Sequence, residues 1–405
     1  MTASSNSTGA RPAPDAEADG LSPAALMSAA AERTGLGHWG EAGFSFALSL
    51  LVESSQATGR LSPTGQRVLR STLLRHLRNR LYVQAHLDRR AQAADTPLEA
   101  PLVITGLPRT GTSLLHNLLA QDPRHRFLPL WQALHPVPVQ PGHEPDEAAL
   151  VAQAESWLER FYAGVPGFRT IHGLTPEGPE ECDALLQNAF ASQHFDDMFD
   201  AEAYSRWFYE TDLDREYAYY ALQLRLLSPG RAAHKRWVLK SPGHLGQLAA
   251  LRRALPGVRI IHCHRDPPRA VASYASLILT VRRPNSGLSP ERVGEQALWR
   301  GVTAMTRALD VRARLDDDSF FDLSYADLVA DPIDAVARIY QWLGARLDPV
   351  AEASMRRWLA ENPSDRHGTH DYDAGFFDLP RDRVRDRFAA YLDRFEPLCA
   401  PGSVT

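Results

Sequence analysis

The chain has 405 residues, 44% of them hydrophobic, enough to bury a large core in one main domain with helical additions. Its 44 Lys and Arg stand against 49 Asp and Glu, a formal net charge of −5, so it lacks the basic field of nucleic-acid binders and no nucleic-acid partner is expected. Three widely separated cysteines, Cys182, Cys263 and Cys399, form no CxxC pair, which argues against a zinc site or a disulfide framework and for reduced thiols in a cytoplasmic protein.

Residues 1–20 are small, polar and Pro/Gly-containing, and read as a disordered tail without a signal peptide. The apolar run at 44–52 (FSFALSLLV) is too short for a membrane span, which takes ~20 residues. Residues 21–100 are expected to form a helical N-terminal addition. Within it, residues 66–90 carry Leu69, Leu73, Leu74, Leu77 and Leu81 at helical spacing, together with Arg67, Arg70, Arg75, Arg78, Arg80, Arg89 and Arg90. The plain reading of those arginines is a solvated helix face; attraction of anionic lipid, with peripheral membrane contact, of substrate or of a partner protein is the alternative.

Residues 101–113, PLVITGLPRTGTS, join an apolar run to a Gly-rich loop and then to the helical pattern SLLHNLLA. Strand, loop and helix in that order point backbone N–H groups and a helix N-terminus at an anion. Where a Walker A loop carries Lys, this chain has Thr112, and the nearby cation is Arg109, inside the loop. Users of ATP and GTP need that Lys and a Mg²⁺ held by the loop hydroxyl and a second-strand Asp. The loop is therefore expected to bind a phosphate group, but not that of an ordinary nucleoside triphosphate.

Residues 124–235 read as a helical insertion rich in aromatics, among them Trp131, Trp157, Phe161, Phe168, Phe190, Phe195, Phe199, Trp207 and Tyr209. Most of these pack helices together; a subset lining a pocket would favour a bulky apolar hydroxyl acceptor over a sugar. The acidic turn at 175–183 (TPEGPEECD) offers Glu177, Glu180 and Glu181, either as dipole partners of a helix N-terminus or as a catalytic carboxylate.

Two further apolar runs follow, WVLKS at 237–241 and VRIIHCH at 258–264, and each delivers a cation to its end: Lys240 and Arg265. Apolar strands alternating with helices argue for a parallel sheet of about five strands whose ligands lie beyond the strand C-termini. His262 and His264 flank Cys263, and strand alternation puts both on the face opposite the thiol, so no metal site of the three is expected.

The spacing of these segments resembles the sulfotransferases that use 3′-phosphoadenosine 5′-phosphosulfate (PAPS), a bacterial branch related to the cytosolic and Golgi enzymes. The similar segments are Pro108, Arg109, Thr110, Gly111, Thr112 and Ser113, with Arg109 in place of the usual Lys; Arg265 and Ser273 in HRDPPRAVAS; and Tyr325-Ala326-Asp327-Leu328 before Asp331-Pro332. The resemblance spans residues 101–395 and implies an α/β fold of the P-loop NTPase-like kind, a central parallel sheet flanked by helices. It further implies that the first loop binds the 5′-phosphosulfate, that Arg265 and Ser273 bind the 3′-phosphate, and that Tyr325 lies near the adenine. Adenosine 3′,5′-bisphosphate would be the product. Fixed cations and backbone donors suit a sulfuryl group, which carries less charge than a phosphoryl group, so metal-free transfer is expected.

Lys240-Ser241-Pro242-Gly243-His244-Leu245 is similar to the Lys-Thr-His-Leu-Pro segment of the cytosolic enzymes, although the His follows the Lys by four positions instead of two. The resemblance implies that Lys240 stabilises the bridging oxygen and His244 is the general base; Glu180 and Glu181 compete for that role, since some branches use Glu. Arg366, His367 and Gly368 stand where the family closes its nucleotide site with an Arg-Lys-Gly loop, or else form a plain surface loop. A kinase using ATP and a non-catalytic nucleotide-binding protein are the competing readings. A homodimer is compatible with the sequence, and nothing in its periodicity requires one.

Overall fold

The computed structural model describes residues 21–58, 60–89, 95–138, 146–228, 235–315, 317–363 and 373–400. Five strands form one sheet: β1 (Leu102–Gly106), β2 (His125–Arg126), β3 (Arg236–Lys240), β4 (Arg259–His264) and β5 (Phe320–Ser324). All neighbours are parallel, in the order β2-β3-β1-β4-β5. The chain therefore enters at the centre, builds outward to β2 and β3, then crosses β1 to add β4 and β5. Loops leaving β1, β3 and β4 diverge at the C-terminal edge, where open α/β sheets hold ligands.

β1 is buried along its whole length because helices cover both faces. Strand alternation splits the core in two. Leu102, Ile104, Val238, Ile261 and Cys263 pack against helix α4 (Thr112–Leu119) and the helices Pro332–Trp342 and Pro349–Glu361. Val103, Leu239 and Ile260 belong to the larger layer on the other face. That layer takes in the N-terminal helices α1 (Pro23–Thr34), α2 (Phe44–Ala57) and α3 (Pro63–Arg89), through Leu26, Leu48, Leu51, Leu69, Leu73 and Leu77. The apolar stripes of these three helices are continuous with the main core.

Arg67, Arg78 and Arg89 of α3 are exposed, as a solvated face requires, but two other arginines depart from it. Arg80 is buried, donates to the carbonyls of Trp39, Glu41 and Asn188, and lies 4.0 Å over the Phe44 ring. Arg75 also turns inward, toward a cavity described below. Among the described residues no helix is long and apolar enough to cross a membrane.

Three more helices position the site: α5 (Glu147–Gly164) and α6 (Gln193–Phe199) in the insertion, and α7 (Pro267–Arg282) after β4. Helix α8 (Pro290–Arg312) braces α6 and α7 from behind. His262 and His264 do face away from Cys263, onto Phe395 and toward Asp322 of β5. Arg312 binds both oxygens of that carboxylate, at 2.5 and 2.8 Å, so a guanidinium supplies the positive charge there.

Candidate active site

The Gly-rich loop turns from β1 into α4 through two residues of left-handed backbone. Gly111 has φ 86°, and a Cβ there would come within 3.0 Å of the Tyr325 ring and of Leu328. Arg109 has φ 71°, a region that non-glycine residues rarely occupy. Its side chain is tied down: Nε donates to Ser273 Oγ at 3.1 Å and Nη1 to the Ile171 carbonyl at 3.0 Å. Arg265 reaches across from the end of β4, donates to the Arg109 carbonyl at 2.7 Å, and stacks 4.2 Å over Tyr325. The fold thus gathers Arg109, Arg265, Ser273 and Tyr325 around the start of α4. Among the described residues no carboxylate pairs with Arg265, which leaves its charge for an anion.

Lys240, at the end of β3, is 2% exposed. Its Nζ lies 3.3 Å from Ser113 Oγ and 2.6 Å from Glu181 Oε1. The acidic turn is held against it by backbone bonds, Glu180 N–H to the Leu128 carbonyl at 2.8 Å and Cys182 N–H to the Lys240 carbonyl at 3.1 Å. These acids are therefore docked across a strand end. Glu177 is exposed and points elsewhere.

Glu181 Oε2 lies 3.3 Å from His194 Nε2, and His194 Nδ1 lies 3.3 Å from Asp183 Oδ2. Burial opposes ionisation of Glu181, but Lys240 and His194 hold its carboxyl well below the usual range. Glu180 lacks such a cation in contact, and burial raises it. Burial also works against the His194 cation, yet Asp183, Glu181 and Asp197 outweigh it and raise the ring to about 10. A raised histidine stabilises the fold fully below its ordinary 6.5 and loses that contribution as pH climbs through about 10. Denaturant unfolding between these pH values should show the wild type losing stability more steeply than His194→Gln; equal slopes would refute the ring's assignment as the cation.

His244 does not join this group. The segment Pro242–Gln247 is a 3₁₀ turn that carries the imidazole behind β3, where it is 0% exposed. Nδ1 meets Tyr217 OH at 2.7 Å, Nε2 meets Cys182 Sγ at 3.1 Å, and burial lowers its pKa to about 4. With both nitrogens engaged by buried groups and no face on the cavity, His244 is corrected from general base to packing residue. Arg366, His367 and Gly368 lie outside the described residues.

A single cavity of about 890 Å³ opens from the loop. Pro108, Arg109, Gly111, Thr112, Ser113, Arg265 and Tyr325 line one part of it, and Glu180 and Glu181 lie on the wall beside them. Thr110 is turned inward and donates to the Leu107 carbonyl. Much of the rest is apolar, formed by Trp157 and Phe161 of α5, Phe168, Phe195 of α6, Leu277 of α7 and Val68 of α3, with Arg160 and Asp197 as further charged groups on the wall. Of the aromatics in the insertion, these four line the chamber, whereas Phe190 and Phe199 are core. His172, His194 and Arg75 also line it, and no local motif marks them in the sequence.

A Gly-rich strand-to-helix loop with a strand-end lysine beside it, at the C-terminal edge of a parallel sheet, is the arrangement of a group-transfer enzyme of the α/β class. The chain belongs to the sulfotransferase family, whose profile matches residues 101–349. It is 29% identical to sulfotransferase STF1 of Mycobacterium tuberculosis H37Rv, with a TM-score of 0.79 over 90% of this chain and 97% of that one. STF9 of Mycobacterium avium gives the same identity and score over 93% and 97%. Omega-hydroxy-beta-dihydromenaquinone-9 sulfotransferase Stf3 of Mycobacterium tuberculosis (strain CDC 1551 / Oshkosh) is 23% identical over 314 residues, 73% of this chain and 75% of Stf3.

Proposed function

We propose that this sulfotransferase moves the sulfuryl group of PAPS to a hydroxyl of a bulky apolar acceptor. The observation that carries the reading is the shared cavity: the anion-binding loop and the aromatic chamber are two parts of one space. Arg109, the loop amides and Ser113 hold the 5′-phosphosulfate, while Arg265 and Ser273 hold the 3′-phosphate beside Tyr325. The acceptor oxygen bonds to sulfur as the bond from sulfur to the bridging oxygen breaks. Lys240 stabilises the charge that develops on that bridging oxygen.

Glu181 takes the acceptor proton. Its contacts with Lys240 and His194 keep it a weak base. Once Lys240 turns to the bridging oxygen, the first of these contacts is given up and the basicity of Glu181 rises toward the range useful for proton transfer. Donor binding and base activation are coupled in this way. Stf3 bears the name of a hydroxylated menaquinone as its acceptor, which fits an apolar chamber in a relative of this chain. Transfer from ATP is disfavoured by Thr112 at the Walker Lys position and by Asp266, the acid after β4, which is bound by Arg381 at 2.8 Å.

Calorimetry with adenosine 3′,5′-bisphosphate tests the donor site without an acceptor. Tight binding that Mg²⁺ does not alter is expected, and Arg265→Ala should weaken it by roughly tenfold or more, as for loss of a charge-assisted pair. Binding of the 5′-monophosphate should change little in the same variant. Equal losses for both nucleotides would count against Arg265 as the 3′-phosphate ligand, and a Mg²⁺-dependent preference for ATP would overturn the donor assignment.

A further inference from the structure

Arg75 is a cation in the apolar part of the cavity, and its surroundings are built to hold it without neutralising it. The Leu185 carbonyl accepts from Gln223 Nε2 at 2.9 Å, which turns Gln223 Oε1 toward Asn188 Nδ2, also 2.9 Å away. Asn188 is thereby left to present Oδ1 to His76 Nδ1 at 3.0 Å. That contact places the proton on Nδ1, and burial lowers His76 to about 3, so the ring is neutral and Nε2 is an acceptor. Arg75 Nη2 lies 3.2 Å from that nitrogen, and the guanidinium carbon stands 5.6 Å from the Trp157 ring.

Every partner in this chain of bonds is neutral. Arg75 Nη1 is buried without a hydrogen-bond partner, and among the described residues no carboxylate pairs with the side chain. Burial lowers the guanidinium to about 10. A buried, oriented donor with an uncompensated charge is costly unless something binds there.

We infer that Arg75 recognises an oxyanion on the acceptor, which is accordingly an acidic amphiphile: an apolar body with a hydroxyl for sulfation and a carboxylate or phosphate ester elsewhere. This rests on the reading of the chamber as the acceptor site and narrows its substrate class. The guanidinium, which lines the chamber, turns its unpartnered Nη1–H to the oxyanion, and Trp157 covers the adjoining apolar body.

The probes are decan-1-ol, decanoate and decyl phosphate, titrated into the full chain saturated with adenosine 3′,5′-bisphosphate and followed by calorimetry. At least one oxyanion is expected to bind about tenfold or more tightly than the alcohol, as a charged hydrogen bond predicts. Whichever of the two binds better identifies the head group. Arg75→Gln should erase the difference while leaving the alcohol's affinity nearly unchanged, and Arg75→Lys should restore part of it. Equal binding of alcohol and oxyanions by the wild type overturns the inference and leaves the apolar-acceptor reading intact. An advantage that survives in Arg75→Gln also overturns it. Failure of all three probes to bind overturns both. Should Arg75→Gln not fold, the wild-type comparison decides alone.

Discussion

Glu181→Gln should lower turnover by roughly 10²–10⁴-fold, the range for losing a positioned general base, with nucleotide affinity largely kept. The side chain keeps its shape and its place beside Lys240 but can no longer take a proton. Lys240→Met should cost at least as much, because it removes the cation at the leaving oxygen and leaves Glu181, 2.6 Å away, without its nearest partner. The two groups act as a unit, so the double variant should be little worse than either single one. Release of adenosine 3′,5′-bisphosphate from PAPS with a long-chain alcohol acceptor measures all three. Two controls sharpen the result: Glu180→Gln and His244→Gln should each stay within a few-fold of wild type. If Glu181→Gln retains full rate and Glu180→Gln loses it, the base is the neighbouring carboxylate.

Arg300→Met should destabilise the fold by about 3–5 kcal/mol, the cost of stripping the partner from a buried charge. Arg300 on α8 is 2% exposed, donates to Asp197 Oδ1 at 2.9 Å and pairs with Asp196. Both acids are in α6, and burial raises Asp197 to about 6 even with Tyr274 donating to it at 2.7 Å. Arg282 donates to the carbonyls of Asp196 and Asp197 as well, so α6 is clamped by two guanidinium groups. Denaturant unfolding reads the loss, and Arg300→Lys should recover only part of it, since one ammonium cannot reproduce the forked contact. A change below about 1 kcal/mol would mean that Arg282 alone holds the helix. Because α6 also carries His194, Phe195 and Met198 into the cavity, turnover should fall with stability.

The meeting of Arg109, Lys240 and Arg265 at one sheet edge was legible in the sequence because each lies within a few positions of a strand end. Arg109, Lys240 and Arg265 leave the sheet where their apolar runs stop, and parallel topology does the rest. His244 was misplaced by the same logic. Pro242 and Gly243 open a 3₁₀ turn, and one turn of rotation decides between the cavity and the core, which spacing along the chain does not encode. His194 and Arg75 escaped for a different reason. Their roles depend on partners far away in sequence, Glu181 and Asp183 for the first, and the Leu185–Gln223–Asn188–His76 chain for the second. On sequence alone Arg75 was one of seven arginines on a helix; only tertiary contact separates it from Arg78, which is exposed.

Helix α3, which walls the chamber with Val68 and Arg75, precedes residue 101, where the match to the family begins. One wall of the proposed acceptor chamber is thus supplied by polypeptide outside the family match, while its other walls, Trp157, Phe161, Phe168, Phe195 and Leu277, lie within it. Substitutions along one face of α3 therefore alter the chamber without touching the residues around the Gly-rich loop.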